Sequence, residues 1–328
     1  MIAKRFFVAT SIAVFFASPL SVAHGEERSL VPRQAALTGL PNNTPLLGVD
    51  ISGGRVIGVG AYGKILVGEA TALDTAQVVQ VATPIDVTLT SIAVLPDGVL
   101  IAGGHEATLL RSVDNGDSWD ILSTDPSGPP ILKLICLQEG VCIAVGGNGL
   151  VLRSADKGNS WKKGYIAVED GDGLEFDPHL FALVQLSNGR VVATGEQGFV
   201  FVSDDSGQTW RSLATDYKGS LFSVAQLHTG SIVAFGMSGN VVRSADAGSS
   251  WTQGKSEIND VVFASKSVNG ELILSGVGGL FEDPSDDNGG VLQRRADYQV
   301  RDFVRGSVGQ YFLGTSVGLR VISLGSGN

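Results

Sequence analysis

Ser112-Val-Asp114-Asn-Gly116-Asp-Ser118-Trp119, Ser154-Ala-Asp156-Lys-Gly158-Asn-Ser160-Trp161, Ser203-Asp-Asp205-Ser-Gly207-Gln-Thr209-Trp210 and Ser244-Ala-Asp246-Ala-Gly248-Ser-Ser250-Trp251 are four copies of one pattern, S-x-D-x-G-x-[ST]-W. They contain all 4 tryptophans of the chain. The pattern is the Asp box of the bacterial neuraminidase repeat. Aligning on the tryptophans exposes a longer gapless unit at 89–122, 131–164, 180–213 and 221–254. Each unit opens with a short apolar run, such as Leu134-Ile-Cys-Leu137, followed by a turn at Gly98, Gly140, Gly189 or Gly230. A second run ends at Gly104, Gly146, Gly195 or Gly236, and a third leads into the box. Runs this short, β-branched and bounded by glycine are strands. Three or four such strands every forty-odd residues make a propeller blade.

The box has a mechanical reading. Its glycine supplies a positive φ at a tight turn. The Asp and Ser/Thr oxygens bond turn backbone groups that lack a sheet partner. The indole folds back onto its blade and buries apolar area. The box acids are therefore committed to turns and are not expected to act as acid–base catalysts.

Three degenerate units extend the count to seven. Residues 45–73 keep Gly54 and Gly60-Ala-Tyr-Gly63 but lose the box. Residues 258–295 keep Gly270 and Gly276 and carry Asp286-Asp-Asn-Gly289 where a box would decay. Residues 300–323 keep Phe303, Gly309 and Gly314. The expectation is an all-β, seven-bladed propeller of four-stranded antiparallel blades over 45–328. A strand near residues 30–37, within an N-terminal segment 24–44, is expected to complete the last blade and close the ring, which would remove exposed sheet edges.

Residues 1–23 read as a secretory signal: a basic start at Lys4 and Arg5, an apolar run over 6–16, and the small-x-small site Ser21-Val-Ala23. The apolar run is too short for a stable membrane span. The expected product is a soluble, exported chain, most simply periplasmic, peripheral at most to a membrane and monomeric outside its complex. Removing Lys4 and Arg5 from the 23 basic residues leaves 21 against 33 acidic ones, a formal charge near −12. That balance argues against nucleic acid and anionic lipid as main partners.

Cys136 and Cys142 flank a hairpin symmetrically about Glu139. They are either a cross-strand disulfide or two buried thiols; the register and an oxidising compartment favour the disulfide. None of the 4 histidines stands at metal-ligand spacing with another, and no cofactor fingerprint is present, so neither cofactor nor metal is expected. No carboxylate pair is singled out for glycoside hydrolysis. The early Arg-Ile-Pro motif of sialidases is missing. Arg111, Arg153 and Arg243, each directly before a box serine, read as repeated structural contacts rather than a converging triad.

Two acidic insertions break the regularity. The segment Glu169-Asp170-Gly-Asp172-Gly-Leu-Glu175-Phe-Asp177 stretches one tryptophan spacing to 49, against 42 and 41 for the others. The other is Glu282-Asp-Pro-Ser-Asp-Asp287. Neither fits an EF-hand, and both read as solvated loops. Because function in repeat proteins concentrates on insertions, the longer one is a candidate partner contact through Asp170, Asp172, Glu175 and Asp177. Arg294, Arg295, Arg301 and Arg305 form a local basic cluster and are a second candidate contact.

The four boxes, each preceded by a Gly-rich step and an Arg-Ser or Val-Ser, resemble the photosystem II stability/assembly factor family, over nearly all of 45–323. The resemblance implies a seven-bladed Asp-box propeller, exported, with a chaperone-like role in binding a membrane subunit during assembly. In non-photosynthetic bacteria it implies a periplasmic accessory to a membrane system, such as an exporter. Together with the residues, it yields a non-enzymatic scaffold that binds a membrane or envelope protein. The alternatives are a glycan-binding or sialidase-like propeller and a binder of small or lipid-like substrates.

Overall fold

The computed structural model describes residues 11–12, 34–37, 43–71, 78–169, 173–283 and 293–323. Among the described residues, seven antiparallel blade sheets follow each other along the chain: five of four strands, one of four strands with an added fifth, and one of three. Each runs from an inner strand outward in sequence order. Blade 1 comprises Leu46–Ser52, Arg55–Gly60, Ile65–Glu69 and Val79–Val81. Blade 2 comprises Leu89–Val94, Leu100–Gly104, Leu109–Ser112 and Asp120–Ser123. Blade 3 comprises Ile131–Cys136, Cys142–Gly146, Leu150–Ser154 and Lys162–Tyr165, and blade 4 Leu180–Gln185, Val191–Gly195, Phe199–Ser203 and Trp210–Ala214. Blade 5 comprises Ser223–Gln226, Ile232–Phe235, Asn240–Ser244 and Thr252–Lys255. Blade 6 comprises Val262–Val268, Glu271–Gly276, Gly279–Asp283 and Gln293–Ala296; blade 7 has Val300–Arg305, Gln310–Thr315 and Gly318–Ser323. The pair Ser11–Ile12 adds to the outer edge of blade 4. No helix among the described residues is long and apolar enough to cross a membrane.

The second strands are buried along their whole length in blades 2, 3 and 4, because each sheet is covered on both faces by its neighbours. The core is accordingly divided into seams between consecutive blades. Trp119 packs with Ile57 and Val67 of blade 1, and Trp210 with Ile143 and Val145 of blade 3. The box tryptophans thus pack in clusters that join their own blade, as expected, to the preceding one.

The expected closing strand lies partly outside the described residues. Residues 34–37, the described part of 30–37, form no strand and lie against blade 1: Ala35 N donates to Thr83 O at 3.3 Å and Gln80 Nε2 to Ala36 O at 2.9 Å. Residues 30–33 lie outside the described residues, as do nearly all of the expected signal segment and residues 284–292. Blades 1 and 7 meet in an apolar seam, in which Leu46, Val49, Val56 and Leu66 of blade 1 pack on Phe312 and Leu319 of blade 7. Two polar contacts cross it. Val49 N donates to Asp302 Oδ2 at 3.3 Å, and Gln310 Nε2 to Ala70 O at 2.6 Å.

In each box the aspartate works as proposed. Asp156 Oδ1 accepts from Ser154 Oγ at 2.7 Å and Ser160 N at 2.9 Å, and Oδ2 accepts from Ser160 Oγ at 2.6 Å. The Ser154 hydroxyl also accepts from Gly158 N at 2.9 Å. The residue before each box glycine is left-handed too: Asn115, Lys157, Ser206 and Ala247 have φ of 60°, 59°, 54° and 55°. Their carbonyls therefore turn away from the blade, and an arginine of the preceding blade meets each one. Arg55 Nη1 reaches Asn115 O at 3.3 Å, Arg111 Nε reaches Lys157 O at 3.4 Å, Arg153 Nε reaches Ser206 O at 2.8 Å and Arg190 Nη1 reaches Ala247 O at 2.7 Å. Arg111 and Arg153 are structural contacts, as their repeat position implied. Arg243 holds the same position toward blade 6; burial lowers its pKa, with Asp283 opposing that shift.

Cys136 and Cys142 are disulfide-bonded and face each other across the first two strands of blade 3.

Candidate functional site

The feature that organises one mouth of the ring begins with a glycine. At the end of the second strand, a Cβ on Gly60, Gly104 or Gly146 would stand only 2.0–2.2 Å from the carbonyl oxygen of Pro45, Thr88 or Pro130. Those carbonyls fold over the glycine and accept the next N–H: Ala61, His105 and Gly147 donate at 3.0, 2.9 and 2.9 Å. The inner strand then carries one residue too many for its partner. Register shifts occur between Leu46 and Gly48, Leu89 and Ser91, Ile131 and Lys133, Leu180 and Ala182, Val262 and Ala264, and Val300 and Asp302. Such a bulge re-aims the extra side chain.

The bulged residues are Leu47, Thr90, Leu132, Phe181, Phe263 and Arg301, and Phe222 occupies the equivalent place in blade 5. All seven are half-buried. Phe181 and Phe263 line the central channel, a space of about 630 Å³. The rings of Phe181 and Phe222 lie 4.8 Å apart, and the Arg301 guanidinium sits 4.1 Å above the ring of Phe263. Blades 4 to 7 thus carry a rim of three phenylalanines and one arginine, whereas blades 1 to 3 carry Leu47, Thr90 and Leu132.

Deeper in the channel the inner strands present charge. Asp302 is buried; Lys266 Nζ lies 3.0 Å from its Oδ1 and also donates to Phe303 O. Burial raises the Asp302 pKa, but Lys266, Lys133 and hydrogen bonds outweigh it and the carboxyl is held below its ordinary value. Asp50 shows the opposite balance, since burial dominates and raises its pKa. Asp302 therefore ties Lys266 of blade 6 to the Val49 amide of blade 1 across the closing seam.

The fold divides the basic cluster read from sequence: Arg295 and Arg305 both lie near Glu271, and Arg301 stands apart. Arg301 and Arg305 stand at opposite ends of one strand, about 13 Å apart at strand rise. Arg295 Nε pairs with Glu282 Oε2 at 2.6 Å, and Arg294 Nε donates to Ala296 O at 3.2 Å. Glu175 belongs to a short hairpin in which Val168–Glu169 pairs with Glu175–Phe176, and it is exposed, as is Asp177. Asp170 and Asp172 lie outside the described residues.

Glu271 faces Glu282 in the lower part of blade 6. Burial, then the charge and hydrogen bond of Glu282, raise the Glu271 pKa. The pair is not a glycosidase constellation, because Glu282 is buried and occupied by Arg295. Among the described residues, no three His, Cys, Asp or Glu side chains converge as a cation site would require.

The phenylalanine rim was missed in the sequence. Its signal was available: Thr90, Leu132, Phe181 and Phe222 are the second residues of the four aligned units.

The structure is similar to YCF48 from Cyanidioschyzon merolae, with 15% identity, a TM-score of 0.65, and coverage of 89% of this chain and 98% of that one. It is similar to a structure of YCF48 bound to D1 peptide, with 17% identity, a TM-score of 0.63, and coverage of 86% and 93%. It is also similar to the WD40 β propeller domain of Doa1, with 12% identity, a TM-score of 0.66, and coverage of 90% and 97%. At these identities the likeness concerns the fold. No curated protein sequence matches the chain. The sequence model of the photosynthesis system II assembly factor YCF48 family matches residues 69–257, more than half of the chain and all four boxes, and the chain belongs to that family.

Proposed function

We propose that this protein is an exported, non-enzymatic scaffold that binds a segment of a membrane protein while an envelope complex is assembled or operated. The observation that carries this reading is the rim: side chains held by repeated bulges at one mouth of a closed ring, with aromatic groups on consecutive blades. A rigid scaffold loses little conformational freedom when its partner docks. Family membership supports an assembly role, and one propeller of like fold was solved with a D1 peptide bound. Export rests on the signal pattern of residues 1–23.

The test is crosslinking of a C-terminally tagged, full-length gene product in its native envelope, followed by mass spectrometry. The expected result is a mature N-terminus near His24 and stoichiometric recovery of one integral membrane protein. Recovery of a cytoplasmic, uncleaved chain would overturn export. A cleaved chain that crosslinks to no membrane protein would overturn the scaffold role, and a sialidase assay and glycan array would follow.

A further inference from the structure

We infer that the rim of blades 4 to 7, with the turns outside it on blades 5, 6, 7 and 1, is a docking surface for an apolar peptide segment carrying one carboxylate. The inference rests on the protein-binding reading and specifies its site and ligand chemistry.

The turn between the second and third strands lies at the same end of each sheet as the bulged residue. On blades 5, 6, 7 and 1 this turn exposes one large apolar side chain each: Met237 at 50%, Val277 at 44%, Val317 at 43% and Tyr62 at 68%. Blades 2, 3 and 4 place His105-Glu106, Gly147-Asn148 and Glu196-Gln197 there. The apolar groups are not scattered singly over the surface. They all lie in the same turn on four neighbouring blades, Met237 and Val277 at its first position and Tyr62 and Val317 at its second, and exposed apolar groups gathered at one mouth of the ring mark an interaction site.

The charge within this crescent fixes the partner further. Arg301 has no ion pair or hydrogen bond among the described residues; its contact is the face of Phe263. Burial alone lowers its pKa, with no neighbouring carboxylate opposing the shift. A guanidinium stacked on one side keeps its in-plane N–H fork free, and that fork matches a carboxylate. In half-dry surroundings such a bond is stronger than in water. The chain is strongly acidic, −10 overall, so an acidic ligand is directed to this cation and away from most of the remaining surface. The same net charge opposes adsorption on an anionic membrane.

The experiment pans a phage-displayed library of random dodecapeptides on the immobilised mature chain. Enriched peptides are expected to share aromatic or aliphatic residues around one Asp or Glu. For a synthetic peptide from that set, replacing its acid by the amide should weaken binding about ten- to a hundredfold. Arg301→Gln should weaken the acidic peptide by the same factor and leave the amide peptide unaffected. Met237→Ser with Val277→Ser, both exposed and tolerable to the fold, should weaken both peptides, with thermal melts unchanged. Enriched peptides that bind Arg301→Gln and the serine variant as well as wild type would overturn this site and leave the protein-binding reading intact. No enrichment, with cosedimentation on phosphatidylglycerol vesicles, would overturn both in favour of a membrane surface. No enrichment and no cosedimentation would overturn the peptide site as well.

Discussion

Replacing Asp246 by Asn removes one charge from a box while keeping the shape of the side chain. In the folded protein Asp246 Oδ1 accepts from Ser244 Oγ at 2.7 Å, Ser249 N at 3.0 Å and Ser250 N at 2.8 Å, and Oδ2 accepts from Ser250 Oγ at 2.6 Å. Burial acts to raise the pKa, but the Ser250 and Ser244 bonds outweigh it, and the carboxyl falls from 3.8 to about 2. Such a displacement corresponds to about 2.4 kcal/mol. Asp246 is exposed, and solvent screening reduces the figure to about 1 kcal/mol. The sign follows from linkage. A carboxyl whose folded pKa is depressed stabilises the fold above its unfolded pKa, and the contribution is lost as pH falls through the folded value. The Asn variant should therefore lose about 1 kcal/mol at pH 7 in urea denaturation. The difference should shrink between pH 4 and pH 2. Asp114 is likewise held at about 2, and Asp156 and Asp205 are also lowered, so wild type should lose stability steeply across the same window. A variant as stable as wild type at pH 7, or a deficit equal at pH 7 and pH 2, would refute the reasoning.

Other perturbations test the remaining contacts. Gly146→Ala places a Cβ 2.0 Å from Pro130 O; it should cost about 2–4 kcal/mol in the melt by breaking the bulge. Arg153→Gln should cost about 1 kcal/mol in urea denaturation through loss of the bond to Ser206 O. Reducing the Cys136–Cys142 bridge, whose cysteines are 6 residues apart, should cost about 2 kcal/mol on the chain-entropy scale, read as a lower melting temperature with dithiothreitol. Asp302→Ala leaves Lys266 unpaired in the channel and should cost about 3 kcal/mol, against little change for Arg305→Ala, measured by urea denaturation.

What was legible in the sequence was whatever repeats with a local cause. The boxes announced the turns because Ser, Asp, Gly and Trp act within eight residues of each other. The cysteine register was legible for the same reason. The seam of Leu46 and Leu66 on Phe312 and Leu319 was not, because it joins opposite ends of the chain and has no local signature. Arg55 and Arg190 escaped notice as box contacts, since they sit at the start of second strands while Arg111 and Arg153 sit at the ends of third strands. Different repeat positions reach the same carbonyl, and only the packing of one blade on the next reveals it. The arginines grouped between 294 and 305 were close in number, yet a strand separates Arg301 from Arg305 by its length.

The two ends of each sheet carry different duties. The boxes and their arginine contacts lie at the end where the third strand turns into the fourth. The bulged rim and the exposed turns lie at the opposite end. A change at Phe222, Met237 or Val277 therefore touches no box bond, and a change at Asp156 or Trp161 touches no rim side chain. Stability and recognition can vary independently, sheet by sheet. That separation explains why residues 69–257 suffice to place the chain in a family while the partner must be sought elsewhere. The match stops short of Phe263, Val277, Arg301 and Val317, and these residues stand on blades that keep no box. The sequences of blades 6 and 7 carry no box to preserve, so this half of the ring is where a partner-specific surface costs the scaffold least.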